Sequence, residues 1–224
     1  MSNKKDNLNK DVETFIERAL DALPAKTPAL QKRLLKLLGT EISDNDLALF
    51  ETSVLVDASQ MHWEMAKDRK QGQPEIQIYC PNIEDGHNSK TVIDIVSDDY
   101  SFLVDSVVAE INKHNMLIDL LLHPILYVEY DSKKILKSAQ RERDDDLTRQ
   151  SHIHIQIKDT MQPDMLKSLE KGLYTALEDV YYANRDWREM LEVLRRTKEE
   201  LAHTPHKRPL REIEKYCSFL DYIA

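Results

Sequence analysis

Between Val12 and Leu38, apolar residues recur at steps of three and four. They are Val12, Phe15-Ile16, Ala19-Leu20 and Leu23, then, after a turn at 24–28, Leu30, Leu34-Leu35 and Leu37-Leu38. That period lines one face of a helix, so it predicts two short helices, the second stopped by Gly39. Ser43-Asp44-Asn45-Asp46 offers side-chain oxygens to cap a third helix. Its inner face carries Leu47, Phe50, Val54 and Leu55, and it is expected to run on through Trp63 and Met65. Helices this short need a partner surface, so residues 11–70 are expected to pack on each other or on a sheet. Residues 1–10 are polar and are expected to be disordered.

The period then changes to two. Glu75-Ile76-Gln77-Ile78-Tyr79-Cys80 alternates polar and apolar, which marks a half-buried strand. The link 81–90, rich in Asn and Asp with Gly86, reads as a long hairpin loop to a second, antiparallel strand. That strand, Thr91-Val92-Ile93-Asp94-Ile95-Val96, is β-branched almost throughout and therefore favours burial in a sheet. After it, Phe102, Leu103, Val107, Val108 and Ile111 form the stripe of a helix over 101–114. The apolar run Leu117 to Tyr130 is too long for one straight strand, and His123-Pro124 supplies a bend. Lys133 to Arg149 is charged and is expected to be a solvated hairpin tip. Ile153, Ile155 and Ile157 then share one face of a last strand.

From about Thr160 a long helix is predicted, with Pro163 in its first turn, where a missing N–H does no harm. Leu166, Leu173, Val180, Trp187, Leu194 and Leu201 repeat every seven residues, with Leu169, Ala176, Ala183, Met190 and Thr197 as companions. A sustained heptad calls for a helical partner. Over 162–202 the helix would reach about 60 Å at about 1.5 Å per residue. Its second half is therefore expected to project or to bend near Asn184-Arg185-Asp186. A short amphipathic helix with Ile213, Tyr216, Phe219-Leu220 and Tyr222-Ile223 follows.

These elements predict an α+β fold: a ferredoxin-like, four-stranded antiparallel sheet with helices 101–114 and 162–183 on one face. Val92, Val96, Leu120 and Leu122 lie on the other face, which the N-terminal helices or a second copy must cover. The chain divides into a helical segment over 1–72, the α+β domain over 73–183 and a helical extension over 184–224.

The net charge of −9, from 31 basic and 40 acidic residues, argues against a nucleic-acid partner. The apolar run from Met116 to Val128, interrupted by Asp119 and His123, is too short to span a bilayer, and no signal peptide is evident. Cys80 and Cys217 read as reduced thiols, so a cytoplasmic location is expected. The four glycines, at 39, 72, 86 and 172, build neither a dinucleotide fingerprint nor a P-loop. No catalytic residue is assigned. His152 and His154, two apart on one strand, with His123 on a neighbour, can be arranged as metal ligands, but no fixed-spacing motif supports that, and no metal is assigned. Asp98, Asp99 and Asp105 cluster at the strand-to-helix turn. Asp98 or Asp99 is read first as a helix cap worth about 1 kcal/mol. The second reading is a ligand site formed by Asp98, Asp99, Phe102, Leu103, Asp105 and Ser106 around the free N–H groups of the helix.

Ser97-Asp98-Asp99-Tyr100-Ser101-Phe102-Leu103-Val104-Asp105-Ser106, the Leu120-Leu121-Leu122-His123-Pro124-Ile125-Leu126 strand, Ser151-His152-Ile153-His154-Ile155, Asp186-Trp187 and Phe219-Leu220 occur in that order. Together they resemble the N-terminal part of the large bacterial NAD-dependent glutamate dehydrogenases, over residues 75–224. The resemblance implies an ACT-like regulatory or oligomerisation segment without cofactor of its own, in a parent enzyme that oxidises L-glutamate with NAD. It further implies a homo-oligomer, contact with downstream domains and an amino-acid effector, while the charge balance and the short apolar run speak against nucleic acid and membrane as partners. Leu173, Val180, Trp187 and Leu194 are the expected interface residues. Two departures, Ser101 in place of Pro and no glycine in the turn, count against an amino acid bound there. A free-standing amino-acid sensor is the alternative function.

Overall fold

The computed structural model describes residues 10–43, 46–47, 50–80, 90–158, 162–203 and 209–223. The expected disorder of the N-terminus, the cap residues Asp44 and Asn45 and the loop 81–89 lie outside them. The chain forms two compact units, Met1–Leu177 and Glu178–Ala224.

Three helices open the first unit: α1 (Lys10–Asp21), α2 (Ala29–Gly39) and α3 (Thr52–Ala66). They pack through Val12, Ile16, Ala19, Leu35, Leu38, Leu55 and Ala58, all buried. Gly39 is needed where α2 meets α1: a Cβ there would lie 2.6 Å from Cγ1 of Ile16. The third helix starts later than its expected cap, after Glu51, which makes no side-chain cap bond.

The sheet among the described residues has six strands rather than four: β1 (Glu75–Tyr79), β2 (Thr91–Asp98), β3 (Ile118–Leu122), β4 (Ile125–Tyr130), β5 (Leu136–Gln140) and β6 (Thr148–Ile157). Its order is β1-β2-β6-β4-β5, with β3 also on β6. The expected hairpin of β1 and β2 is present and antiparallel, pairing Ile76 with Ile95 and Ile78 with Ile93. Two differences account for the count. The apolar run breaks at His123-Pro124, so β3 pairs with 154–157 of β6 and β4 with 148–151. Pro124 still contributes through its carbonyl, which accepts from the N–H of His152 at 3.1 Å. The charged stretch that reads as a hairpin tip contains β5, paired with β4 and anchored by buried Leu136 and Ala139. Two apolar residues among so many charges are a weak signal, yet they seal a hydrophobic cluster with Leu34, Leu37, Met65, Ala66, Val96, Leu126 and Val128.

Between β2 and β3 runs α4 (Leu103–Lys113), so β2, α4 and β3 form a crossover with β6 inserted between two parallel strands. This is the split β-α-β arrangement expected of a ferredoxin-like sheet. The isoleucine face (Ile93, Ile95, Ile153, Ile155, Ile157) is fully buried. The matching buried stripes are Leu103, Val107 and Ile111 of α4 and Leu169, Leu173 and Leu177 of the following helix, α5 (Pro163–His203). A Cβ on Gly172 would fall 2.6 Å from Cδ of Glu110, which shows how closely α5 approaches α4. The N-terminal helices cover the opposite face, where Leu122 joins their core and Val96 sits beneath α2 and α3.

In the second unit α5 continues as unbroken helix through 184–186, and α6 (Leu210–Ile223) follows. Lys198 and Asp221 join the two at 2.6 Å, and Ile213 is buried. Arg185 stacks over the rings of Tyr181 and Tyr182, 5.5 and 4.7 Å from their centroids. No helix among the described residues is long and apolar enough to cross a membrane.

Candidate functional site: a buried histidine–aspartate cluster

Strand alternation sends Ile93, Ile95, Ile153 and Ile155 to one face and Asp94, His152 and His154 to the other. The register of β2 and β6 sets Asp94 directly opposite His154 and Val96 opposite His152. Onto that face α3 lowers His62. The four polar residues His62, Asp94, His152 and His154 are all essentially without solvent exposure.

Three contacts converge on Asp94. Asp94 Oδ1 lies 2.6 Å from His154 Nδ1 and 3.1 Å from His62 Nε2, while Tyr79 Oη donates to Asp94 Oδ2 at 2.9 Å. His62 Nδ1 is 3.2 Å from His152 Nδ1, with the two rings stacked at 5.3 Å. Gln156 Nε2 stands 3.5 Å from His154 Nε2. One proton per ring satisfies this whole set. His62 donates from Nε2 and His154 from Nδ1 to Asp94, and His152 donates from Nδ1 to His62. One atom is left over: His152 Nε2 is buried and has no hydrogen-bond partner among the described residues.

Electrostatics follow from the donors. Burial alone would raise the Asp94 carboxyl, but His154 and His62 outweigh it and hold it well below the usual carboxylate range. Burial, then the Asp94 charge, pushes the Tyr79 phenol far up. Burial, with His62, Arg69 and His123 nearby, keeps the His152 ring well below the ordinary imidazole value. The ligand atoms of His62, Asp94 and His154 lie within 4.8 Å of one another, a set that can hold a metal ion.

A second polar knot sits at the end of the same face. Arg69, buried after α3, pairs with Asp98, and the N–H of Gly72 donates to Asp98 Oδ2 at 2.7 Å. With its amide oxygen toward Arg69, Gln150 accepts from Nε at 3.2 Å and Nη2 at 2.9 Å, and it lies 2.8 Å from Tyr130 Oη.

These contacts correct the reading of the turn. Asp98 does not cap α4; its carboxylate is engaged by Arg69 and Gly72 on the opposite side. Asp99 pairs with Arg149 at 2.7 Å, and partial burial raises its carboxyl despite that arginine. The cap position belongs to Phe102, in the left-handed region at φ 66° and without a side-chain cap bond. Phe102 is 74% exposed, Leu103 is buried, Asp105 is exposed, and the Ser106 N–H is held by the Phe102 carbonyl at 3.0 Å. Of the residues expected at an interface, Leu173 and Val180 are buried, Leu194 is half-buried and Trp187 is exposed.

Of the histidine trio, His152 and His154 belong to the cluster, while His123 lies near His152 but outside it, its Nε2 meeting Ser151 Oγ at 2.6 Å. Sequence reasoning missed His62, Asp94 and Tyr79. For Asp94 a signal exists, a lone charge within a β-branched run; for His62, which lies 32 residues away on a helix, none does.

Residues 34–173 match the family model described as glutamate dehydrogenase, ACT1 domain. Among curated relatives, the NAD-specific glutamate dehydrogenase of Pseudomonas aeruginosa is 26% identical over 186 residues, covering 81% of this chain and 12% of that protein. The NAD-specific glutamate dehydrogenase of Halomonas elongata is 27% identical over 203 residues, covering 84% of this chain and 13% of that one. The chain thus spans about an eighth of the length of these relatives. With its split β-α-β sheet and a family model matched across most of the first unit, the chain belongs to the glutamate dehydrogenase ACT1-domain family.

Proposed function

We propose that this chain serves as a non-catalytic regulatory and oligomerisation segment of an NAD-dependent glutamate dehydrogenase. The parent reaction converts L-glutamate, NAD and water to 2-oxoglutarate, ammonia and NADH, with NAD bound outside this chain and the whole acting in the cytoplasm. The observation that carries the reading is the match to the ACT1 domain over 34–173, set beside relatives many times longer. Two features of the fold support it. The polar cluster of the first unit is sealed from solvent, so it offers no surface to glutamate. The second unit exposes Trp187, Met190, Val193, Phe219 and Tyr222, apolar side chains suited to another copy or another domain of the parent.

An amino-acid effector at Asp98–Ser106 is the weaker reading, since Arg69 and Arg149 already engage the two carboxylates there. Glutamate-dependent NADH formation by the purified chain tests the first part: no turnover above the blank is expected, and robust turnover overturns it. Sedimentation velocity across a concentration series tests the second: concentration-dependent association, diminished by Trp187→Asp, is expected. A monomer throughout would remove oligomerisation from the account.

A further inference from the structure

We propose that His62, Asp94 and His154 form a closed site for a divalent transition ion of the zinc type. The three ligand atoms come from α3, β2 and β6, lie within 4.8 Å of one another and belong to side chains at most 2% exposed. Two imidazoles and one carboxylate are the donor set of zinc and its neighbours; magnesium and calcium prefer oxygen alone. Metal–ligand bonds of about 2.0–2.2 Å set tetrahedral ligand atoms about 3.4 Å apart. Seating an ion therefore asks Asp94 Oδ1 and His154 Nδ1, 2.6 Å apart, to open by less than about 1 Å, and the widest separation, at most 4.8 Å, to close.

A layer of partner residues surrounds the three ligands. Each of the three ligands has its far atom held by a second residue, as orienting partners of metal ligands are. Asp94 Oδ2 receives Tyr79 Oη at 2.9 Å, His62 Nδ1 meets His152 Nδ1 at 3.2 Å, and His154 Nε2 meets the Gln156 amide at 3.5 Å. Ion binding moves each ring proton to that far nitrogen. His62 Nδ1 then donates to His152 Nδ1, and Gln156 turns its oxygen to accept from His154 Nε2. His152 then accepts at Nδ1 and carries its own proton on Nε2, which has no hydrogen-bond partner among the described residues. Charge points the same way: a carboxylate with no solvent exposure gains more from a bound cation than from hydrogen bonds alone. The ion ties the first helical segment to the two central strands. It is structural, because nothing in the site faces solvent.

Elemental analysis of the whole chain, refolded or expressed with zinc and passed through gel filtration, tests this. About one equivalent of zinc is expected in the unaltered protein and at least a tenfold reduction in His62→Gln and in His154→Gln, with His203→Gln, an exposed control, unchanged. No retained ion in the unaltered protein overturns the proposal and leaves the cluster a hydrogen-bonded core. Equal retention in both site variants also overturns it, by assigning the ion to surface histidines. If the variants do not fold, X-ray absorption of the zinc-loaded unaltered chain decides. A shell of nitrogen and oxygen with two imidazoles supports the site, and a sulfur-containing or fully hydrated shell contradicts it.

Discussion

The two faces of the central sheet are built from the same strands and differ in almost everything else. Ile93, Ile95, Ile153, Ile155 and Ile157 fill one face, where any well-packed aliphatic of similar volume serves. One residue along, Asp94, Asp98, Gln150, His152, His154 and Gln156 lie on the other among the apolar Val92, Val96, Leu122 and Leu126, and nearly all are as deeply buried. The isoleucine face gains free energy from area removed from water, which is tolerant of detail. The polar face gains only if every donor meets an acceptor, so its geometry is demanding. The difference is one of tolerance: the isoleucine face asks mainly for volume, whereas the polar groups of the other also require His62 of α3 to meet Asp94 and His152. That meeting point holds the only cluster among the described residues with a metal-competent set of donors.

Removing the shared acceptor breaks the demanding face most severely. Asp94→Ala leaves Tyr79, His62 and His154 pointing at nothing, and each stranded donor costs about 1–3 kcal/mol. A loss of about 4 kcal/mol or more is expected, read as a lowered urea midpoint. On the tolerant face, Ile155→Ala is expected to cost about 3 kcal/mol and Ile155→Val about 1 kcal/mol, following volume alone. If the two series fell in the opposite order, the contrast between the faces would be lost.

Acid sharpens the comparison at the margin of the polar face. Burial lowers the His123 imidazole, against the opposing pull of Asp99 and Glu41 and with help from Arg149. A lowered value means that the unfolded chain takes up the proton first. Its contribution is therefore present above the unfolded value of about 6.5 and is lost as pH falls below it toward the depressed folded value. Urea midpoints between pH 7.5 and 5 are expected to decline with acid, and His123→Gln is expected to flatten part of that decline. An unchanged slope in the variant would clear His123 of the role. The smallest stability effect belongs outside the sheet. Trp187→Ala, at a side chain half exposed, is expected to shift stability by no more than about 0.5 kcal/mol. A larger shift would mean that the exposed apolar surface of the second unit is part of its folding core.

The tolerant face was the more legible of the two in the sequence. Ile153, Ile155 and Ile157 announce themselves by alternation, the β1–β2 hairpin by its pattern, and the β3–β4 break by His123-Pro124. The heptad run of α5 marks a helix that continues from Pro163 to His203. What stayed hidden depends on assembly. β5 has only Leu136 and Ala139 as buried anchors among charges, too few to show a period. His62 meets Asp94 and His152 across separations of 32 and 90 residues, which no local pattern encodes. Asp98 looked like a cap because caps are local; its true partner, Arg69, lies 29 residues upstream. Two members of the buried cluster, His152 and His154, are visible from their spacing; the third ring that joins them, His62, is not.

The division between the faces is tested most directly by a double-mutant cycle on Asp94 and His154, using Asp94→Asn and His154→Gln, with unfolding free energy as the readout. A hydrogen bond to a charged group predicts a coupling of about 1.5–3 kcal/mol. Additivity within about 0.5 kcal/mol would show that the pair carries no specific interaction and would contradict the account.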